Sequence, residues 1–524
     1  MSTAESAVAG PWGPADEGAA PASADTGDAG AVRQVFGNAI ALVVAYALPR
    51  VLTLGAVVLA ARILGAAAFG AYAAAGAAAV ILSILSTAGM QPLLVREIAR
   101  DPAAAPALLR AAHRVKTALN ALMLGVLGLT AHAVFGLQGE AFWAALWLTA
   151  GYAVGSYAEN LAAYFQAVER MRVWTAANAA YGIVAGGAGA ALIVVTRSLP
   201  WFCLAMLLGQ LAAVGWLHVA YRRSARAVAG APGKQLPVDA PAGRMNARGL
   251  AMAAAPFAAA FLALTVFYKG DVVLLARLQP AAEAGLYVAA YKLVDVAQAL
   301  ALAAIVATYP RLVRSAAVRS WGERWAASRL AELALLLVVP VAAVAFLLRE
   351  TIVGALYGPG YHGGVAAAAF LLPALVPLVL NLLAGYVLAA ANRMRLMAML
   401  YGAGAAVKLA AVALVVPHQG AAGAAAVMLG AELLLCLGLQ LALHRTAHAA
   451  AGRRALVAAA AAAGLAVVVA LLPGLPPALA GILFIAATVG AYVRLDVLSR
   501  HERRVLRATL RPLRFPPRAE GTLP

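Results

Sequence analysis

The residues with the most chemical potential are charges placed inside apolar runs. Arg50 follows Pro49 in one long hydrophobic stretch, Lys269 and Asp271 share a second, and Lys292 and Asp295 share a third. Lys408 and Glu432 fall in two more. A charge at the centre of a bilayer costs ~2.5–3.5 kcal/mol on insertion scales, so each calls for a partner or a use. Three cations, Arg50, Lys269 and Lys292, facing one cavity would hold an anionic ligand, lysine as a point charge and arginine as a bidentate fork. The competing reading is mutual neutralisation. Asp271 would meet Lys292 across helices or serve as counter-ion to Lys269, Lys292 and Asp295 share a helix face three residues apart, and Lys408 would pair with Glu432. A carboxylate buried between helices, such as Asp271, can also take up H+ or Na+ and couple movement to an ion gradient.

Other chemistries find little footing. Cys203 and Cys436 lie far apart in apolar runs and form neither a disulfide framework nor a metal site. His444 and His448 stand four apart at a helix end and read as solvated or headgroup-facing. Gly182-x-x-x-Gly186, with Gly187 and Gly189 after it, is a helix-packing face and not a phosphate loop, because no strand precedes it. No nucleophile–base set and no Walker A motif is present, so neither an enzyme nor a cofactor is expected.

The elements that must position these charges are membrane helices. Of 524 residues, 64% are hydrophobic and only 12% charged, where a soluble domain carries about 25% charge. The mean hydropathy is +0.86. Apolar runs of about 20 residues, each long enough to cross the hydrocarbon core, predict an all-α polytopic protein of about fourteen spans. The runs are 36–61, 69–90, 116–136, 142–166, 174–195, 200–220, 250–276, 284–308, 328–349, 364–390, 396–416, 421–443, 455–472 and 477–495. Residues 1–33 are rich in Ala, Gly, Pro and acids, lack a signal-peptide pattern, and read as a disordered tail.

The net charge of +19 resolves into topology. With the N-terminus inside, inner loops and tails hold 31 of the 40 Lys and Arg residues. They include Arg96, Arg100, Arg110, Arg114 and Lys116 in one loop and the tail from Arg500 to Arg518. Outer loops hold four: Arg62, Arg197, Arg277 and Arg349. This positive-inside split predicts a multi-pass protein of the bacterial inner membrane with both termini cytoplasmic. The remaining positive charge favours anionic lipids over nucleic acid. Glu159, in the inner third of its span, is expected to pair with an inner-side arginine.

A repeat divides the chain. Arg62-(x7)-Gly70-x-Tyr72 returns as Arg277-(x7)-Gly285-x-Tyr287 at an offset of 215 residues. Pro92-x-Leu94-Val95-Arg96 returns as Pro310-x-Leu312-Val313-Arg314 at an offset of 218. Six spans fit between the copies, which keeps them in the same orientation and makes this a parallel repeat about the membrane normal. The expected organisation is a tail at 1–33, an N-lobe at 34–221, a cytoplasmic linker at 222–248, a C-lobe at 249–446, two extra spans within 447–497 and a basic tail at 498–524. The two six-helix lobes would form a V-shaped cavity.

The chain also resembles a known family. Leu64-Gly65, Phe69-Gly70-Ala71-Tyr72 and Leu94-Val95-Arg96-Glu97-Ile98-Ala99 carry the likeness in the first half. Gly270-Asp271-Val272-Val273-Leu274-Leu275, Ala284-Gly285-Leu286-Tyr287 and Pro310-Arg311-Leu312 carry it in the second. Leu356-Tyr357-Gly358-Pro359-Gly360-Tyr361 and Pro417-x-x-Gly420-Ala421-Ala422-Gly423-Ala424-Ala425 complete it. In order and spacing, from about residue 36 to about 445, these motifs resemble the polysaccharide (oligosaccharide, O-antigen) flippases of the MOP exporter superfamily. The resemblance implies movement of an undecaprenyl-pyrophosphate-linked oligosaccharide to the outer leaflet by alternating access. The surface polysaccharide could be O-antigen, capsule or exopolysaccharide. Its expected partners are that lipid-linked substrate, membrane lipids, H+ or Na+ as coupling ion, and a polysaccharide polymerase. It places Arg50, Lys269 and Lys292 as substrate-binding cations, with Asp271, Asp295, Lys408 and Glu432 as ion-coupling or counter-ion residues. A lipid II flippase and an ion-coupled multidrug or metabolite exporter of the same superfamily are the alternatives.

Overall fold

The computed structural model describes residues 28–87, 90–229, 247–298, 321–391 and 393–446, with fragments at 479, 481, 483 and 484. In chain order the helices are α1 (Asp28–Thr87), α2 (Met90–Arg100), α3 (Ala105–Thr130), α4 (Gly139–Ala167), α5 (Met171–Thr196), α6 (Leu199–Ala229) and α7 (Ala247–Leu278). Then come α8 (281–298), α9 (Trp321–Leu347), α10 (Arg349–Tyr357), α11 (Gly364–Ala390) and α12 (Met394–Thr446). The all-α membrane fold expected from composition is what the structure shows. Among the described residues, six helices are long and apolar enough to cross a membrane, or seven if α9 and α10, bent by 73° at their junction, count as one span.

This tally is of the described residues alone, and it joins two pairs of the fourteen expected runs. Runs 36–61 and most of 69–90 fall within α1, and runs 396–416 and 421–443 within α12, each of which is a pair of helices joined at a kink. Each turns at a glycine with positive φ, Gly65 (φ 78°) and Gly420 (φ 53°), where a side chain would be strained. The turn in α12 is a reversal. Lys408 Nζ lies 2.9 Å from the Met428 sulfur, yet the same separation along a straight helix would span about 30 Å. The polar content of α3 and α4, which includes buried Lys116, Asn120, Thr149 and Asn160, also dilutes their hydropathy. Run 455–472, run 477–495 apart from residues 479, 481, 483 and 484, residues 299–308 of run 284–308, the repeat copy Pro310-x-Leu312-Val313-Arg314, residues 230–246 of the linker and the tail after 498 lie outside the described residues. So do residues 1–27 of the expected tail, whereas α1 already begins at Asp28.

Packing divides the helices. α1, α4, α5 and α6 pack on one another; α7 packs on α12, α12 on α11 and α11 on α9; and α1 meets α7 between the two sets. The expected helix-packing face on α5 is used at Gly182, Gly186 and Gly189, whereas Gly187 points away from it and is exposed. A Cβ on Gly182 would overlap Pro49, and one on Gly186 would overlap Leu52, so α1 lies directly against α5. The expected basic loop after residue 90 is instead helical. Met90, Leu94 and Ile98 recur four apart, and all three are fully buried. They dock α2 onto α4 while Arg96 and Arg100 face outward and clamp Glu97.

Candidate functional site

Arg50 is held out from the backbone by its neighbours. Pro49 cannot donate to the carbonyl one turn earlier, and it is pressed onto the glycine face of α5. The Thr53 hydroxyl donates to the Pro49 carbonyl at 2.9 Å and to the Arg50 carbonyl at 3.1 Å. The Arg50 side chain is exposed and borders a cavity of about 160 Å³ lined by Pro49, Thr53, Trp174, Asn178 and Tyr181. Among the described residues Arg50 has no carboxylate partner within ion-pair distance. The cavity thus joins a guanidinium to an indole, an amide and a phenol.

Lys269 and Lys292 stand elsewhere, on α7 and α8. Neither lysine is among the residues lining the Arg50 cavity. Lys269 places its ammonium 4.7 Å from the centre of the Tyr291 ring, a cation–π contact. Lys292 bonds Asp295 at 2.8 Å, with both side chains about a quarter exposed. Lys269, Lys292 and Asp295 lie within electrostatic range of one another. Two ammonium groups against one carboxylate leave one positive charge unbalanced.

Asp271 has a different partner from either lysine considered from sequence. Lys408 reaches its Oδ2 at 2.7 Å, and both side chains are fully buried. The Tyr287 hydroxyl donates to the same oxygen at 2.6 Å, and the Val272 amide donates to Oδ1 at 2.8 Å. Lys408 also donates to the Phe267 carbonyl at 2.7 Å and sits 5.0 Å from that ring's centre. Its charge is therefore spent on α7, and the expected Lys408–Glu432 pair does not form. Glu432, also fully buried, instead accepts from Asn381 Nδ2 at 2.6 Å. The reason lies in the α12 reversal, which aims Lys408 at α7 and turns Glu432 toward α11. Glu159 likewise pairs with Lys116 at 2.8 Å, not with an arginine, and Lys116 is buried rather than in a loop.

The aromatic shelf of Trp174, Asn178 and Tyr181 was not singled out from the sequence. Its signal was present, since these positions share one face of α5 at spacings of four and three, but only the docking of Pro49 brings Arg50 to it. No group of three or more metal-ligating side chains occurs among the described residues.

A family model described as "Polysaccharide biosynthesis protein" matches residues 35–316. Among solved structures, the lipid II flippase MurJ in an inward closed conformation aligns over 89% of this chain and 100% of its own, at 11% identity and a TM-score of 0.62. An inward-facing multidrug resistance MATE family transporter of the MOP superfamily aligns over 78% and 98%, at 13% identity and a TM-score of 0.59. An outward-facing conformation of such a transporter aligns over 78% and 94%, at 13% identity and a TM-score of 0.52. At these identities the likeness is one of fold. No curated protein sequence matches the chain.

Proposed function

The chain belongs to the polysaccharide biosynthesis protein family, and from that premise we propose that it flips an undecaprenyl-pyrophosphate-linked oligosaccharide across the bacterial inner membrane. The observation that carries this reading is the distribution of positive charge. Arg50 opens onto its cavity without a carboxylate, and Lys269 and Lys292 share one aspartate. A pyrophosphate diester brings about two negative charges, which matches that surplus. The Trp174–Asn178–Tyr181 shelf beside Arg50 suits a sugar ring, which stacks on aromatic faces and bonds to amides and hydroxyls. A cationic site of this kind would repel the cationic cargo of a multidrug exporter.

Both termini are cytoplasmic in this reading, so the face carrying Gly65 and Gly420 is the outer one. Asp271, neutralised by Lys408, acts as a structural counter-ion, and the lobes rock about the cavity by alternating access. The chain catalyses no bond-making step.

The test is substitution of the cations in proteoliposomes loaded with a polyprenyl-pyrophosphate oligosaccharide. Arg50→Ala and Lys269→Ala should abolish flipping while membrane levels stay normal. Arg50→Lys should retain part of the rate, because the charge survives and the fork does not. Flipping by Arg50→Ala at the wild-type rate would refute the cationic site.

A further inference from the structure

The repeat seen in the sequence meets itself at the outer face. Gly70 on α1 packs against the Ala281 carbonyl so closely that a Cβ would overlap it. Gly285 on α8 packs in the same way against the Ala66 carbonyl. Ala66 and Ala281, like Gly70 and Gly285, are 215 residues apart. The contact is therefore reciprocal: each half inserts its glycine against the other half's backbone. Ring contacts fill in beside it. Phe69 stands 6.4 Å from Tyr357 and 6.3 Å from Tyr361, and the buried Tyr361 hydroxyl donates to the Ala61 carbonyl at 2.8 Å.

The arginines of the same repeat cross the junction in opposite directions. Arg62 Nε donates to the Leu356 carbonyl at 2.5 Å, and its Nη2 donates to the Ala355 carbonyl. Both carbonyls belong to the last turn of α10, in the second half. Arg277, at the end of α7, donates through Nη2 to the Ala133 carbonyl at 3.2 Å, just past the end of α3 in the first half. Gly136 gives it room, because a Cβ there would sit 2.7 Å from the Arg277 Cδ. Carbonyls at a helix C-terminus lack partners within the helix and carry the negative end of its dipole. An arginine fork suits them in charge and in geometry.

We propose that Arg62 and Arg277 are the two repeat-related halves of an outer latch, each capping a helix end in the opposite lobe and holding the Gly70–Gly285 seam shut. The latch supplies a specific function for two charges that the positive-inside count treats as exceptions. It is attached to helix ends on both sides, so releasing its three arginine–carbonyl bonds loosens the hold of one lobe on the other. Carbonyl caps break and reform without a buried charge being stranded, which suits a contact that must open in every cycle. The inference rests on the alternating-access reading of the previous section.

The experiment uses the full chain in oriented membrane vesicles, with Cys203→Ala and Cys436→Ala as background. The reporter is Val288→Cys, which lies one turn from Gly285 on the α8 face that continues to Lys292. A membrane-impermeant maleimide added from the outer side measures how often the seam opens. With the latch intact, labelling should be slow. Arg62→Ala and Arg277→Ala should each raise the rate about threefold, and the double variant about tenfold, because the two halves act in parallel. Arg62→Lys and Arg277→Lys, which keep the charge and lose the fork, should fall between wild type and the alanine variants, and they carry the test should an alanine variant fail to reach the membrane. Gly70→Ala, with both arginines present, should also raise labelling by forcing the seam apart. Wild-type labelling rates in both the alanine and the lysine variants would overturn the latch. No substrate is needed, so a failure here leaves the Arg50 flipping result standing, and a failure of Arg50→Ala to lose flipping leaves the labelling result standing.

Discussion

Breaking the Asp271–Lys408 pair should be the most damaging small change in this protein. Both side chains have zero exposure and their charged atoms are 2.7 Å apart. In Lys408→Met, Asp271 keeps two donors, the Tyr287 hydroxyl and the Val272 amide, but has no counter-charge in contact. Removing one member of a buried pair costs about 3–5 kcal/mol. At about 2–4 °C of melting temperature per kcal/mol for a helical half of this size, Lys408→Met should melt roughly 10 °C below wild type. Asp271→Asn strands the ammonium instead and should lose a similar amount. The double variant Asp271→Asn/Lys408→Met removes both charges together. Neutral replacement of a whole buried pair is often close to neutral, so it should regain most of the loss, which makes the coupling between the two sites larger than either single loss of about 3–5 kcal/mol. Fluorescence-detected size-exclusion chromatography after stepwise heating in detergent reads these shifts. A double variant that melts at the sum of the two single losses would refute the claim that the pair is one unit. If instead the double variant is stable but no longer flips, Asp271 has a coupling role that the counter-ion reading denies it.

Two further outcomes follow from the packing and the charge pattern. Gly182→Leu should push α1 off α5, lower stability by about 1–3 kcal/mol through overpacking, and abolish flipping as Arg50→Ala does; Gly187→Leu, where a Cβ meets nothing within 4 Å, should behave as wild type in the same melting and flipping assays. Single cysteines at Gln138 and Gln235 should react with an impermeant maleimide from the outer and the cytoplasmic side respectively, and labelling of both from one side would refute the orientation.

Much of this protein was legible in its sequence, because a bilayer imposes its rules locally. Every backbone polar group in hydrocarbon must be satisfied within its own segment, so long apolar runs could only become helices. The parallel repeat was also legible, since Arg62, Gly70 and Tyr72 recur at a fixed offset whatever surrounds them. The Lys292–Asp295 bond was readable for the same reason, being a contact within one turn of one helix.

What the sequence left open were pairings between helices. It offered Lys292 or Lys269 for Asp271 and Glu432 for Lys408, because separation along the chain says nothing about which faces of α7, α8, α11 and α12 meet. Reversal of α12 at Gly420 decided that, setting Lys408 against Asp271 and Glu432 against Asn381. Arg50 was recognisable as a charge in need of a use, but its company was not. The absence of side chains at Gly182 and Gly186 lets α1 approach α5, and that approach alone gives the guanidinium its aromatic neighbours. The seam between Gly70 and Gly285 is of the same kind. Sequence showed two copies of a motif, and only the tertiary structure brought them together, because a contact between lobes depends on the shape of both surfaces and is written in neither one alone.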